Sequence, residues 1–258
     1  MTLQRAGGAA ALSDSAADYA ATMAPALHPI AEKVVRRARL RPAERVIDIG
    51  TGTGTAAAIA LGEGRSVTGV DAAPGMLAIA RREVPGAEFV EADFAALPLA
   101  DGSVDVVLAA HALLFAEDRV AVLREWRRIT RPGGRISLSV PGPSSVVPTA
   151  IFGPVYDRYG ITWGDDYPEL ADLQRWAAGA GWSEIETAAD PTAAIPLADE
   201  AAFRIWLRVG ARGRATRDWS AERREQFVRD LLAVAPRDAS GAIRLQFGAL
   251  FLRAVNPL

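Results

Sequence analysis

The chain has 258 residues, 50% hydrophobic and 23% charged, with a net charge of −2. That suits one α/β domain with insertions or two small domains, and it offers no global field for nucleic acid or an anionic membrane. Cysteine is absent and His28 and His111 are the only histidines, so disulfides and thiolate sites are excluded and no metal site is expected.

Arginine supplies nearly all the positive charge, Lys33 being the only lysine. The N-terminus lacks a basic start followed by an apolar core, and no apolar run approaches the length of a membrane span. A soluble cytoplasmic protein without a membrane or nucleic-acid partner is expected.

Residues 1–12 read as a frayed, alanine-rich start. Residues 13–40 follow with helical patterning, with Ser13 or Asp14 as N-caps. Pro25 and Pro29 predict a break into two helices. Tyr19 is the one aromatic residue of the first of these. Residues 41–44 turn the chain into its first strand.

Residues 45–57 are the organising stretch. Val46, Ile47 and Ile49 form a short apolar run that reads as a buried parallel strand. Gly50, Gly52 and Gly54 follow, then the alanine-rich start of a helix. Glycine tolerates positive φ and admits close approach of a ligand, and a helix start directs free N–H groups above the strand. Asp48 ends that strand. A buried carboxylate needs a partner, and a ligand with a cationic or N–H-rich end would satisfy it. The glycines also fit the dinucleotide pattern G-x-G-x-x-A, so this stretch alone leaves methyl donor and nicotinamide or flavin open.

A small-residue helix over 56–61 is ended by Gly62 and Gly64. A second strand over 66–70 places Asp71 at its end, where it can accept from two ribose hydroxyls. A helix follows over 74–82, with Met76 near its start. The third strand, 87–91, runs into Ala92, Asp93 and Phe94. Residues 97–103 read as a surface turn, 104–109 as a fourth strand and 135–140 as a fifth, entered through a tight turn at Pro132-Gly133-Gly134.

Residues 141–170 are rich in proline, glycine and aromatics, including Pro141, Pro143, Pro148, Phe152, Tyr156, Tyr159, Trp163 and Tyr167. They leave the carboxyl edge of the sheet, where open α/β folds bind ligands, and suit a substrate pocket. A helix over 170–181 and a sixth strand over 182–188 come next. Residues 197–240 form a helical insertion, with Phe203, Trp206, Leu207 and Gly210 on one face and Phe227, Leu231 and Val234 on another. Its arginines are interleaved with acids and read as a solvated face. A last strand is expected over 243–255.

The Asp-x-Gly-x-Gly-x-Gly run at 48–54 resembles motif I of the class I S-adenosylmethionine-dependent methyltransferases. Three further stretches resemble that family in order and spacing: Leu97-Pro98-Leu99-Ala100-Asp101-Gly102-Ser103-Val104-Asp105-Val106-Val107, Leu123-Arg124-Glu125-Trp126-Arg127-Arg128-Ile129, and Arg131-Pro132-Gly133-Gly134-Arg135-Ile136. The resemblance covers residues 15–140 and points to the small-molecule enzymes of the type 11 and ubiquinone-menaquinone group. Two rivals lack their residues. No tyrosine has a lysine four positions on, as short-chain dehydrogenases require, and no Gly-Lys-Ser/Thr step exists.

The resemblance implies a Rossmann-like α/β fold, a seven-stranded, mostly parallel sheet with an antiparallel last strand between strands five and six. It implies one methyltransferase domain over 1–258: an N-terminal helical lid at 1–40, a core at 41–190 and 241–258, and a helical cap at 191–240. S-adenosyl-L-methionine is the implied cofactor. Asp48 and the loop Gly50, Thr51 and Gly52 fall to its methionine part, Asp71 to ribose, and Asp93 with Phe94 to adenine; Ala72, Met76, Ala109 and Tyr19 are further candidate cofactor contacts.

His111, just past strand four, is the candidate base. The expected acceptor is a small apolar or aromatic molecule, and a monomer or homodimer is expected. Cyclisation or rearrangement chemistry on the same fold, or a non-catalytic cofactor-binding subunit, are the other readings. His28 reads as structural.

Overall fold

The structure, a computed structural model, describes residues 8–62, 65–143, 149–162 and 167–258. Gly64, Pro148 and Trp163, which the sequence reading singles out, lie outside the described residues.

Two helices open the chain, α1 (Gly8–Asp14) and α2 (Ala16–Ala38). The chain then alternates β1 (Arg45–Ile49), α3 (Thr55–Ala60), β2 (Ser66–Asp71), α4 (Pro74–Glu83), β3 (Glu88–Glu91), β4 (Val104–Ala110), α5 (Arg119–Ile129) and β5 (Thr130–Val140). After α6 (Thr149–Arg158), α7 (Leu170–Gly179) and β6 (Ser183–Asp190) comes an excursion. It consists of β7 (Ala194–Leu197), α8 (Glu200–Arg208), α9 (Gly210–Thr216), α10 (Ala221–Val234) and β8 (Ile243–Gln246), before β9 (Ala249–Val255). The main sheet has seven strands in the order β3-β2-β1-β4-β5-β9-β6. Strands β1 to β5 pair in parallel, and β9 lies antiparallel between β5 and β6. The order reverses beside β1, so the carboxyl ends of β1, β2 and β4 open the crevice where this topology binds ligands.

Apolar strands make this sheet because both of its faces are covered. Val46, Ile47, Ile49, Val106, Val107 and Leu108 are all buried. On one face α5 seats Leu123, Trp126 and Ile129, and on the other α2 seats Ile30, Ala31, Val34 and Val35.

Helix α2 is continuous, contrary to the expected break at the prolines. Pro25 and Pro29 are one helical turn apart on its exposed face, so the carbonyls they leave unbonded can meet water. The buried face holds the helix together. Its C-terminus is fixed by Arg135, buried in β5, whose guanidinium donates to the carbonyls of Ala38 and Arg39 and pairs with Glu44 at 2.7 Å. Ser15, not Ser13 or Asp14, occupies the N-cap position, while residues 8–14 form α1. Ser13 instead accepts from the Gly75 amide, docking α1 against α4.

Pro132-Gly133-Gly134 lies inside β5 as a bulge rather than ahead of it. Thr130 pairs with Val104 and Arg135 with Val106, so the run is looped out opposite Asp105. No strand is expected at Ala194–Leu197, and one continuous strand is expected over 243–255. The chain instead pairs β7 with β8 in a separate two-stranded sheet. It then turns at Gly248 (φ +61) into β9, with the Phe247 and Gly248 amides both donating to the Ala193 carbonyl. Alternating patterns on either side of that turn read as one strand because the glycine is the only local signal of the corner. Helices α8 and α9, set with α10 between β7 and β8, cap the crevice, and α10 packs on α6. Gly210 is not on the face of α8, which ends at Arg208, and Val234 is exposed. Phe152, Tyr156, Phe203, Trp206 and Phe227 meet with ring centroids 5.5–6.2 Å apart, joining α6 to the cap.

The N-terminal helices clasp the cap. Asp18 takes Arg208 through two bonds of 2.7 and 2.8 Å, Asp14 pairs with Arg217, and Ser15 Oγ accepts from the Gly210 amide at 3.0 Å. Among the described residues no helix is long and apolar enough to cross a membrane.

Candidate active site

A cavity of about 300 Å³ lies between the carboxyl ends of the strands and the cap. Its floor is the loop after β1. Gly50, Gly52 and Gly54 all have positive φ, from +54° to +88°. A side chain at Gly50 would collide with the Ala112 methyl, so the loop packs directly on the chain leaving β4. At Gly52 an added Cβ would meet nothing nearer than Tyr19, 3.9 Å away, and the bare backbone faces the cavity.

Asp48 does not wait for a ligand. Its carboxylate is buried and its Oδ2 accepts from Thr51 Oγ1 at 2.7 Å and from the Ala57 amide at 3.0 Å. Burial pushes its pKa up to about 6 against those two bonds. The expected helix N–H groups are therefore turned, at Ala57, onto Asp48 rather than into the crevice. Asp48 and Thr51 lie behind the cavity wall and shape the loop.

Asp71 does line the cavity. Its Oδ2 accepts from the Gly52 amide and its Oδ1 from the Ala73 amide, each at 2.9 Å. These backbone donors fix the carboxylate, whose oxygens keep further lone pairs for a ligand. Burial raises its pKa, and the backbone donors oppose that. Tyr19 reaches over from α2. Burial, then the charges of Asp71 and Asp48, hold its phenol protonated far above neutral pH. It is thus a fixed donor at the acidic end.

Ala72, Met76, Ala92 and Phe94 continue the wall. The ring of Phe94 meets Trp126 edge-on at 6.4 Å, and Trp126 Nε1 donates to the Phe94 carbonyl. Asp93 is exposed, accepts from the Ala95 amide at 2.8 Å and does not line the cavity. Ala109 is buried within β4, and the residues that reach the cavity there are Ala110, His111 and Ala112. The structure thus brings Tyr19, Gly50, Gly52, Asp71, Ala72, Met76, Phe94 and His111 to one cavity and leaves Asp48, Thr51, Asp93 and Ala109 outside it.

His111 sits in the left-handed region (φ +62°) at the end of β4. Its amide donates to the Ser139 carbonyl, its Nδ1 lies 3.0 Å from Ser139 Oγ, and Phe247 packs edge-on at 5.7 Å. Burial drives its pKa down to about 4, so the ring is neutral. Nε2 is enclosed and lacks a hydrogen-bond partner.

The opposite wall comes from α6, the segment before α7, the cap and the β8–β9 corner: Tyr156, Tyr167, Ile195, Trp206, Arg212 and Phe247. Sequence reading names Tyr156 and Tyr167 as pocket aromatics and misses Arg212. One signal was available: the arginine stands in Gly210-Ala211-Arg212-Gly213, where small neighbours allow tight packing. A Cβ at Gly213 would strike the Arg208 carbonyl.

Glycine loop, acidic second-strand end and strand order together define a doubly wound nucleotide-binding α/β protein. A family model described as "Methyltransferase domain" matches residues 47–138. A demethylmenaquinone methyltransferase of Beutenbergia cavernae is 40% identical over 133 residues, 50% of this chain and 54% of that protein, so the chain spans about half the length of that relative. The protein of the same name from Mycolicibacterium vanbaalenii is 31% identical over 169 residues, 57% of this chain and 72% of its own length. The solved YcgJ protein of Bacillus subtilis shares the fold, with a TM-score of 0.62 at 18% identity over 90% of this chain and 99% of its own. The chain belongs to the class I S-adenosylmethionine-dependent methyltransferases, in the type 11 methyltransferase-domain family.

Proposed function

We propose that the protein transfers a methyl group from S-adenosyl-L-methionine to a small apolar or aromatic acceptor. The observation that carries this reading is Asp71. It is a carboxylate at the second strand end, fixed by the Gly52 and Ala73 amides and facing a cavity floored by bare glycine backbone. The residues fit the adenosyl group. Asp71 has lone pairs for two ribose hydroxyls, the Gly52 backbone leaves room a side chain would fill, and Met76 and Phe94 offer an apolar slot for a flat base. Tyr19 covers the same end as a donor.

Bound there, the cofactor supplies a methyl carbon already activated by cationic sulfur, for in-line displacement. The chain's part is alignment in a dry, apolar chamber, which contributes several kcal/mol of barrier lowering. His111 is the proposed proton acceptor. Its neutral ring keeps a lone pair, and Ser139 fixes its orientation. The same burial makes it a weak base, so it suits an acceptor with an acidic hydroxyl rather than a plain alcohol. Because Nε2 is enclosed, contact with an acceptor requires a small shift of the ring or its cover.

The curated relatives named for demethylmenaquinone and the aromatic far wall support an aromatic, quinone-like acceptor. The test is incubation of the protein and S-adenosylmethionine with a panel of hydroxylated aromatics and quinols, read by mass spectrometry. One added methyl on a panel member is expected. Cofactor binding with no methylated product from any aromatic acceptor would argue for different chemistry on this fold.

A further inference from the structure

The cavity is electrostatically divided. Among the described residues that line it, only Asp71 and Arg212 carry a full charge at neutral pH, since His111 is held neutral. They come from opposite walls, Asp71 from the end of β2 and Arg212 from α9 in the cap.

Arg212 is set deep, and burial is the first cause of the lowered pKa of its guanidinium. The guanidinium carbon lies 4.0 Å from the centroid of the Trp206 ring, and Nε donates to the Trp206 carbonyl at 3.3 Å. These contacts hold its plane against Trp206, and the residue lines the chamber. Tyr156 and Tyr167 flank the charge and favour it. Tyr156 is itself pushed up to about 12 by burial, so it acts as a dipole and not as a counter-charge.

A guanidinium presents five N–H donors in a fork that matches the two oxygens of a carboxylate, so one facing the cavity can serve a ligand whatever its others hold. An anionic oxygen is the complement of such a fork in an otherwise apolar chamber. A second, independent feature lies in the same wall. Trp206 Nε1 is enclosed without a hydrogen-bond partner, a donor that an acceptor oxygen would satisfy after a small shift of its cover.

We propose that Arg212 selects the acceptor: the cap end of the cavity takes a small aromatic or apolar molecule bearing an anionic oxygen, a carboxylate or an ionised enol or phenol, and seats that oxygen on the guanidinium beside Trp206. This deepens the methyl-transfer reading and rests on it, the acidic end being left to the cofactor.

The experiment loads the full-length protein with S-adenosylhomocysteine and titrates it calorimetrically with naphthoate, nitrophenolate and the neutral methyl ester of naphthoate. At least one anion should bind about tenfold or more tightly than the ester. Which anion does so tells a carboxylate anchor from a phenolate one. Arg212→Met should abolish that preference and leave the affinity for S-adenosylhomocysteine within about twofold. Arg212→Lys should keep part of the preference. Should Arg212→Met fail to melt cooperatively, Arg212→Gln replaces it. The proposal is overturned if the ester binds the wild type as tightly as the anions, if neither anion binds, or if the preference survives loss of the guanidinium. Failure of S-adenosylhomocysteine to bind the wild type would instead strike the methyl-transfer reading, and the anion-to-ester ratio would then be measured on the unloaded protein.

Discussion

The two walls of the cavity are built on different principles. The sheet wall is made of backbone and short side chains: three glycines with positive φ, the amides of Gly52 and Ala73, and one facing carboxylate. The cap wall is made of long side chains, Tyr156, Trp206, Arg212 and Phe247, brought together from separate elements. A wall of backbone recognises what is common to a ligand class and leaves little room to vary. A wall of side chains on an inserted segment can be re-cut for each acceptor without disturbing the sheet.

Four substitutions would break or sharpen that contrast. Gly50→Val should have the largest effect, because it forces a β-branched residue to φ +67° and drives it into Ala112. We expect about 3 kcal/mol or more of lost stability by urea denaturation. A fully stable variant would mean the loop is not rigid. Asp71→Ala should leave the fold intact and cost about 2–3 kcal/mol, roughly 30- to 150-fold, in S-adenosylhomocysteine affinity. Binding at the cap end should be unchanged. Equal losses at both ends would show that the walls are not independent.

His111, at the join of the walls, gives a pH signature. Its pKa is lowered from 6.5 to about 4, so the folded state keeps it neutral while the unfolded chain binds a proton. Its contribution to stability is complete above about pH 6.5 and is lost as pH falls toward 4. Asparagine tolerates the left-handed backbone there. Between pH 8 and pH 5 the wild type should therefore lose about 2 kcal/mol more than His111→Asn. Asp48, raised to about 6, works the other way, with stability falling as pH rises from about 4 to 6. It is present in both proteins and cancels in the difference. Parallel pH curves for the two would show that the histidine is not held neutral. The smallest effect belongs to the clasp. Asp18→Ala removes an ion pair whose arginine is largely exposed, and should cost no more than about 1 kcal/mol.

The same contrast decides what could be read in the chain beforehand. Gly50, Gly52 and Asp71 were legible because their roles follow from local spacing: glycine after a strand, acid at the end of the next. Asp48 was legible as a special residue but not in its role. The Thr51 hydroxyl and the Ala57 amide that satisfy it are brought to it by the folding of the loop back over the strand end. Of the named pair Asp93 and Phe94 only Phe94 reaches the cavity, and Ala109 stands one residue before Ala110, which does, since strand ends cannot be fixed to a single residue from pattern alone. Arg212 was marked only by its small neighbours Gly210, Ala211 and Gly213, which do not reveal a cavity. It is one arginine in a basic helical segment, and it becomes singular only because Tyr156, from a helix more than fifty residues earlier, closes over the same chamber. The continuous α2 and the β8–β9 corner follow the same rule: burial overrode the prolines in one, and a lone glycine redirected the chain in the other.

The central claim is that the acidic, glycine-floored end of the cavity holds an adenosyl group and that Asp71 is its anchor. Calorimetric titration of the wild-type protein with S-adenosylmethionine and with NAD, repeated on Asp71→Ala, tests it most directly. Saturable one-to-one binding of the methyl donor, none of NAD, and a loss of roughly 30-fold or more in the variant is the predicted result. Tight NAD binding, or a methyl-donor affinity indifferent to Asp71, would contradict it.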